Sequence, residues 1–314
     1  MLRDLKPSTL AHVLLLGVVA LWGSTFVLVK DALRDVTPLL FNLLRMTLAF
    51  LCLAVVSRRQ WRLLTPRAWA SGAVVGLFLA AGYQFQTAGL ALTTPAKSAF
   101  ITGLVVVLVP LLCGIPGLRP EMGHRPGWNS LAGALMAFAG IVLLTTPAHT
   151  PLRHLFGSLN LGDVLTFGCA LAFAFHVLAL ARTSPRVNFA ALAMLQIGFC
   201  AVAMAITLPM FEHPHLVPTA RLGVALAVTA VLATAVAFSI QTYAQQHLPP
   251  THTALLLSLE PVFAWMTAWL VLGETLGLRG SAGAALVLAG ILVTKLMQPR
   301  SGATEAAHTA HEAG

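Results

Sequence analysis

Charged side chains are scarce in this chain: 9% of its 314 residues are Asp, Glu, Lys or Arg, and only 10 are acidic. A soluble domain carries roughly a quarter of its residues as charges, so a water-exposed globular fold is excluded. Cysteine is also sparse. Cys52, Cys113, Cys169 and Cys200 sit in four different apolar runs without metal-ligand spacing, so they read as small buried hydrophobes, and no metal site is expected. Enzyme signatures are missing too. There is no phosphate loop, no pair of metal-binding histidines one turn apart beside a Glu, and no nucleophile elbow, so no cofactor is expected and ATP-driven work by this chain alone is not.

What fills the sequence is apolar. Hydrophobic residues make up 58% of the chain, with a mean hydropathy of +0.84. The net charge of +9 would suit a nucleic-acid binder, but the basic residues cluster in short joints between apolar runs, which fits a cytoplasmic membrane surface and no nucleic acid. The first run follows Arg3 and Lys6 and reads as a signal anchor, because another apolar run follows it directly.

Crossing roughly 30 Å of hydrocarbon takes about 20 helical residues. Cutting at charged and Pro/Gly-rich joints gives ten spans, at about 9–30, 38–56, 68–91, 95–116, 128–146, 160–181, 188–208, 219–246, 251–272 and 278–296. Residues 1–8 form a cytoplasmic N-terminus, and the small, polar residues 298–314 read as a disordered cytoplasmic tail. His308 and His311 in that tail carry ligand-like spacing without further ligands. With the N-terminus inside, twelve Lys/Arg face the cytoplasm and six face outward, which leaves Arg45 within a span. Both termini are therefore expected inside.

The halves repeat. Ala132-Gly133-Ala134 through Ala139-Gly140-Ile141 returns as Ala282-Gly283-Ala284 through Ala289-Gly290-Ile291, and Gly17 falls opposite Gly168, Gln86 opposite Gln241, Pro95 opposite Pro250 and Pro110 opposite Pro261. A repeat of five spans is odd in number, so the second copy, 160–297, enters the membrane inverted relative to the first, 9–146. The expected fold is thus an all-α integral membrane protein of ten transmembrane helices in two inverted five-helix repeats. Two oppositely facing copies can exchange conformations and open a shared cavity to each side in turn. Gly133 and Gly140, with Gly283 and Gly290, read as close-packing sites that make spans 5 and 10 a scaffold or a homodimer face.

Four motifs carry a resemblance: Trp22-Gly23-Ser24-Thr25-Phe26, Arg45, Pro95-Ala96-Lys97-Ser98-Ala99, and Leu259-Glu260-Pro261-Val262-Phe263 with Gly273-Glu274. With ten spans and the duplication, the chain resembles the EamA-like branch of the drug/metabolite transporter superfamily over residues 9–297. That resemblance implies a ten-helix bacterial inner-membrane carrier that exports amino acids, other small metabolites or drugs. The chain departs from the pattern at Phe173-Ala174-Phe175-His176, which is in register with Trp22 to Thr25, and at His124, which is in register with the acidic residue of Gly273-Glu274.

Polar groups inside the spans are the candidate substrate-binding or coupling residues, because a charge at mid-span costs roughly 2.5–3.5 kcal/mol. Glu260 and Arg45 stand first. Glu260 could bind a substrate amine or a coupling proton and Arg45 a carboxylate; the other reading has them paired with each other or with carbonyls freed by Pro261. Gln196 replaces Arg45 in the second copy. Lys97 and His252 begin spans 4 and 9 at opposite mouths, where they either attract anions or snorkel. The hydrogen-bonding groups Trp22, Ser24, Thr25, Asn42, Tyr83, Gln86, Thr102, His176, Gln241, Tyr243 and Ser258 complete the set, with helix packing as the competing role. The function these readings favour is secondary transport of a small-molecule substrate by alternating access, driven by a proton or an exchanged solute. A membrane enzyme acting on lipid-linked substrates and a non-transporting helper protein are the alternatives.

Overall fold

The computed structural model describes residues 6–121, 127–145, 160–257 and 259–296. Ser258, His124, His308 and His311 lie outside them. The helices are α1 (Pro7–Ala32), α2 (Pro38–Val56), α3 (Pro66–Leu92), α4 (Pro95–Thr102), α5 (Val105–Leu112), α6 (Trp128–Thr145), α7 (Leu161–Thr183), α8 (Phe189–Phe211), α9 (Ala220–Ala227), α10 (Ala237–His247), α11 (Pro250–Leu257), α12 (Glu260–Leu272) and α13 (Gly277–Leu296). A π-helical segment, Val228–Val236, joins α9 to α10. Among the described residues there is no strand beyond one isolated bridge, Val36 to Leu216.

Seven helical segments are long and apolar enough to cross a membrane, and three shorter apolar helices lie at Leu131–Leu144, Glu260–Leu272 and Gly277–Val293. Their starts are written in the sequence. Proline occupies the first turn of α1, α2, α3 and α4, where its missing N–H breaks no helix bond. Thr65 and Thr219 accept from Ala68 N and Leu222 N, and Asn160 forms a capping box with Asp163. Gly273 ends α12 at φ 66°, the left-handed cap that explains the glycine of Gly273-Glu274.

The packing repeats when the halves are exchanged: α1 lies on α10 as α7 lies on α3, and α1 lies on α12 as α7 lies on α5. Helices α6 and α13 pack most extensively. A Cβ on Gly140 would sit 2.6 Å from the Gly283 carbonyl, and one on Gly290 would sit 2.6 Å from the Gly133 carbonyl, so these glycines join α6 to α13 within one chain.

The connections gather at two ends. At one, Arg221 holds Asp35, Glu212 accepts from Leu39 N and Leu40 N at the start of α2, and Lys97 lies 3.5 Å from Asp163. At the other, Arg182 donates to the Gly117 and Arg119 carbonyls, Arg186 pairs with Glu121, and Gln246 donates to the Ser184 and Val187 carbonyls.

Two matching breaks correct the sequence register. Pro95 and Pro250 each start an eight-residue half-helix, α4 and α11, followed by α5 and α12. Counting from these starts sets Val105 opposite Glu260 and Val106 opposite Pro261, while Pro110 falls inside α5 rather than opposite Pro261. Pro261 is also no mid-helix kink. It stands in the first turn of α12, where no helix hydrogen bond is lost, and the break comes before it.

Candidate functional site

Both breaks face one narrow cavity between the halves, about 60 Å³ in volume, room for a few waters at roughly 10–15 Å³ each on the same measure. Thr102, Gly103 and Val105 line it from the α4–α5 break, and Leu257 and Glu260 from the α11–α12 break. Close approach of backbones forms this corner. A Cβ on Gly23 would lie 2.6 Å from the Glu260 carbonyl oxygen, and one on Gly103 would lie 2.8 Å from Pro261 Cγ, so α1 and the first break press against the start of α12.

The rest of the lining comes from register-matched positions in the two halves. Trp22 and Phe173, Thr25 and His176, Phe26 and Val177, Tyr83 and Phe238, and Gln86 and Gln241 all face it, as do Thr102 with Leu257 and Val105 with Glu260. The aromatic members touch one another: the Phe238 ring lies 5.2 Å from Trp22, 6.0 Å from Tyr83 and 5.8 Å from His176, and Tyr83 meets Phe173 edge-on at 5.5 Å. The wall is therefore symmetric in shape but not in charge. Its ionic side chains, Arg45 and Glu260, correspond to Gln196 and Val105 in the other copy.

Arg45 is 3% exposed and is held by protein atoms. Its Nε donates to Thr234 Oγ1 at 2.7 Å, and its Nη2 donates to Tyr83 Oη at 3.0 Å and to the Ala233 carbonyl at 3.2 Å. Its guanidinium also lies 4.5 Å from the Tyr83 ring centroid, a cation–π contact. Trp22 Nε1 donates to the same Ala233 carbonyl at 2.7 Å. Ala233 and Thr234 belong to the π segment, and the two cavity side chains Trp22 and Arg45 both donate to its Ala233 carbonyl. Among the described residues no salt bridge joins Arg45 to Glu260, and the Glu260 carboxyl group makes no hydrogen bond to any of them.

Of the candidates read from the sequence, the cavity gathers Trp22, Thr25, Arg45, Tyr83, Gln86, Thr102, His176, Gln241 and Glu260. Two others stand directly behind it. Asn42 Nδ2 donates to the Tyr83 carbonyl at 2.9 Å and its Oδ1 accepts from Thr87 Oγ1 at 3.0 Å, while Gln196 Oε1 lies 2.9 Å from His176 Nε2 and its Nε2 donates to Thr242 Oγ1. The remainder are elsewhere. Ser24 donates to the Ala20 carbonyl on an exposed face; Tyr243 packs between Phe189 and His247; His252 has its ring 6.1 Å from that of His12; and Lys97 is beside Asp163. The sequence reading missed Phe26, Thr87, Phe173 and Phe238 as lining residues. Phe173 and Phe238 carried a usable signal, since they match Trp22 and Tyr83 in register, but polar residues alone were sought.

The comparisons with known proteins follow the same halves. The EamA-like transporter family matches residues 9–146 and again 160–296. An uncharacterized transporter of Archaeoglobus fulgidus is 31% identical over 283 residues, spanning 90% of this chain and 84% of the relative, and a second from the same organism is 24% identical over 91% of this chain and 98% of the relative. A solved crystal structure superposes with a TM-score of 0.66 at 20% identity, over 94% of this chain and all of the other, which shows a shared fold. The chain belongs to the EamA-like transporter family, within the drug/metabolite transporter superfamily, and is a multi-pass membrane protein.

Proposed function

We propose that this protein is a secondary carrier that exports a small metabolite or drug across a bacterial inner membrane. It crosses the bilayer ten times as two inverted five-helix halves with both termini in the cytoplasm, and it is not an enzyme. The observation that carries this reading is the cavity, whose walls are matched positions of the two repeats and whose corner is formed by a broken helix from each. Broken helices at a repeat interface place polar groups near the bilayer midplane, where a substrate can be held while the halves rock around it. The sorting of connections into two ends supports the ten-span path, in which α6 and α13, of 18 and 20 residues, run between those ends and the α4–α5 and α11–α12 pairs act as single broken spans.

In this mechanism substrate enters from one side, replaces water against the aromatic wall, and contacts Glu260, Gln86 and Gln241. Arg45 ties α2 of the first half to the π segment of the second. Rocking opens the opposite mouth. A substrate or ion gradient drives the cycle.

The test is purified protein in liposomes loaded with a defined mixture of amino acids and other small metabolites. We expect at least one solute to cross faster than in empty liposomes, without ATP. Flux that requires ATP or a second subunit, or conversion of an added lipid-linked substrate with no flux, contradicts the reading.

A further inference from the structure

Two acceptor groups in the cavity lack a donor among the described residues. Gln245 Nε2 donates to the Val177 carbonyl at 3.0 Å, which fixes Gln245 Oε1 as an acceptor. Gln241 Nε2 donates to that oxygen at 3.4 Å, and this sets the orientation of the Gln241 amide. The Gln241 oxygen is thereby turned away from the chain of donors, and Gln241 Oε1 is a buried oxygen with no hydrogen-bond partner on a residue only 2% exposed. It is the only such atom among the described cavity residues. The Glu260 carboxyl group, also in the lining, makes no hydrogen bond or ion pair with any described residue. The cavity therefore presents an unpaired amide oxygen and an unpaired carboxyl group, both of which seek donors.

Among the described residues, Arg45 forms no ion pair with Glu260 and no hydrogen bond with Gln241. Arg45 spends its Nε and Nη2 protons on Thr234, Tyr83 and the Ala233 carbonyl and lies against the Tyr83 ring. Around the acceptors stand Trp22, Phe173 and Phe238, rings whose faces attract cations.

From this geometry we infer that the cavity takes a substrate with a protonated primary or secondary amine on an apolar body. The ammonium N–H groups are received by Glu260 and Gln241 Oε1, and the apolar part lies on the aromatic wall. This rests on the carrier reading above and deepens it. A primary ammonium supplies three donors and a charge, enough for both acceptors at once. A quaternary ammonium of similar size keeps the charge and the ring contact but has no N–H for Gln241.

The test uses purified full-length protein and three probes of matched body: phenethylammonium, its N,N,N-trimethyl derivative and 3-phenylpropionate, with binding measured by titration calorimetry and thermal shift. We expect phenethylammonium to bind, the trimethyl compound to bind about tenfold more weakly for the lost charge-assisted hydrogen bond, and the carboxylate not to bind. In Gln241→Leu the two cations should bind within about twofold of each other, since the group that separates them is gone. Should Gln241→Leu fail to fold, the ranking in the native protein decides. Equal binding of the two cations to the native protein, preference for phenylpropionate, a tenfold gap that survives in Gln241→Leu, or no binding of either cation overturns the assignment. Gradient-driven flux of some other solute in liposomes would leave the carrier reading standing in each of those cases.

Discussion

Arg45 Nε donates to Thr234 Oγ1 at 2.7 Å, so the buried cation of the first half is held by the π segment of the second and not by Glu260. A charged donor that loses a buried acceptor is costly, whereas a carboxyl group without a protein partner contributes no such bond. Thr234→Val should therefore lower folding stability by about 1–3 kcal/mol. Glu260→Gln should leave it within about 0.5 kcal/mol of the native value while impairing transport. Denaturation of both variants in detergent, beside liposome flux, checks this. A stability loss in Glu260→Gln as large as that in Thr234→Val would mean that Glu260 is a structural partner.

The glycines of α6 and α13 give a steric prediction. A Cβ at Gly140 would meet the Gly283 carbonyl oxygen at 2.6 Å and Val287 N at 2.7 Å, both backbone atoms that cannot turn aside. Gly140→Val should separate the two helices and cost about 1–3 kcal/mol. Gly17→Ala, where nothing lies within 4 Å of the added carbon, should cost far less. Comparable melting temperatures for the two variants would contradict the close packing.

Acid sensitivity should have an identifiable source outside the spans. The hydrogen bonds from Arg221 chiefly, then from Thr219, hold the Asp35 carboxyl below its ordinary range. A carboxyl group depressed in the folded state adds stability above its unfolded value of about 3.9 and loses it as pH falls through the folded value. The melting-temperature difference between the native protein and Asp35→Asn should thus be constant from about pH 7 to pH 5 and shrink below about pH 4. A difference that grows on acidification would reverse the sign and refute the pairing.

The sequence revealed the architecture better than the contacts. The duplication, the helix starts at Pro38 and Pro95, and the paired Gln86 and Gln241 are local signals that survive in one dimension. The register of the broken helices did not survive, because Pro110 and Pro261 look alike as letters while Pro261 in fact begins α12 after the break. Partners were hidden for a different reason. Thr234, Asp163 and Glu212 meet Arg45, Lys97 and the start of α2 only across the fold, and the π segment that presents the Ala233 carbonyl has no composition of its own. Reading polarity alone found Glu260 and Gln241 but passed over Phe173 and Phe238, which shape the same wall.

Alternating access requires that one cavity between the repeats open to each side in turn. Gln86 lines that cavity and its side chain makes no hydrogen bond with any described residue, so Gln86→Cys in a protein free of its four native cysteines places a thiol at the site with little disturbance. Labelling with a membrane-impermeant thiol reagent is then measured in right-side-out and in inside-out vesicles. We expect modification from both sides, each slowed by a transported solute. Modification from one side only, whatever solute or gradient is applied, would contradict alternating access.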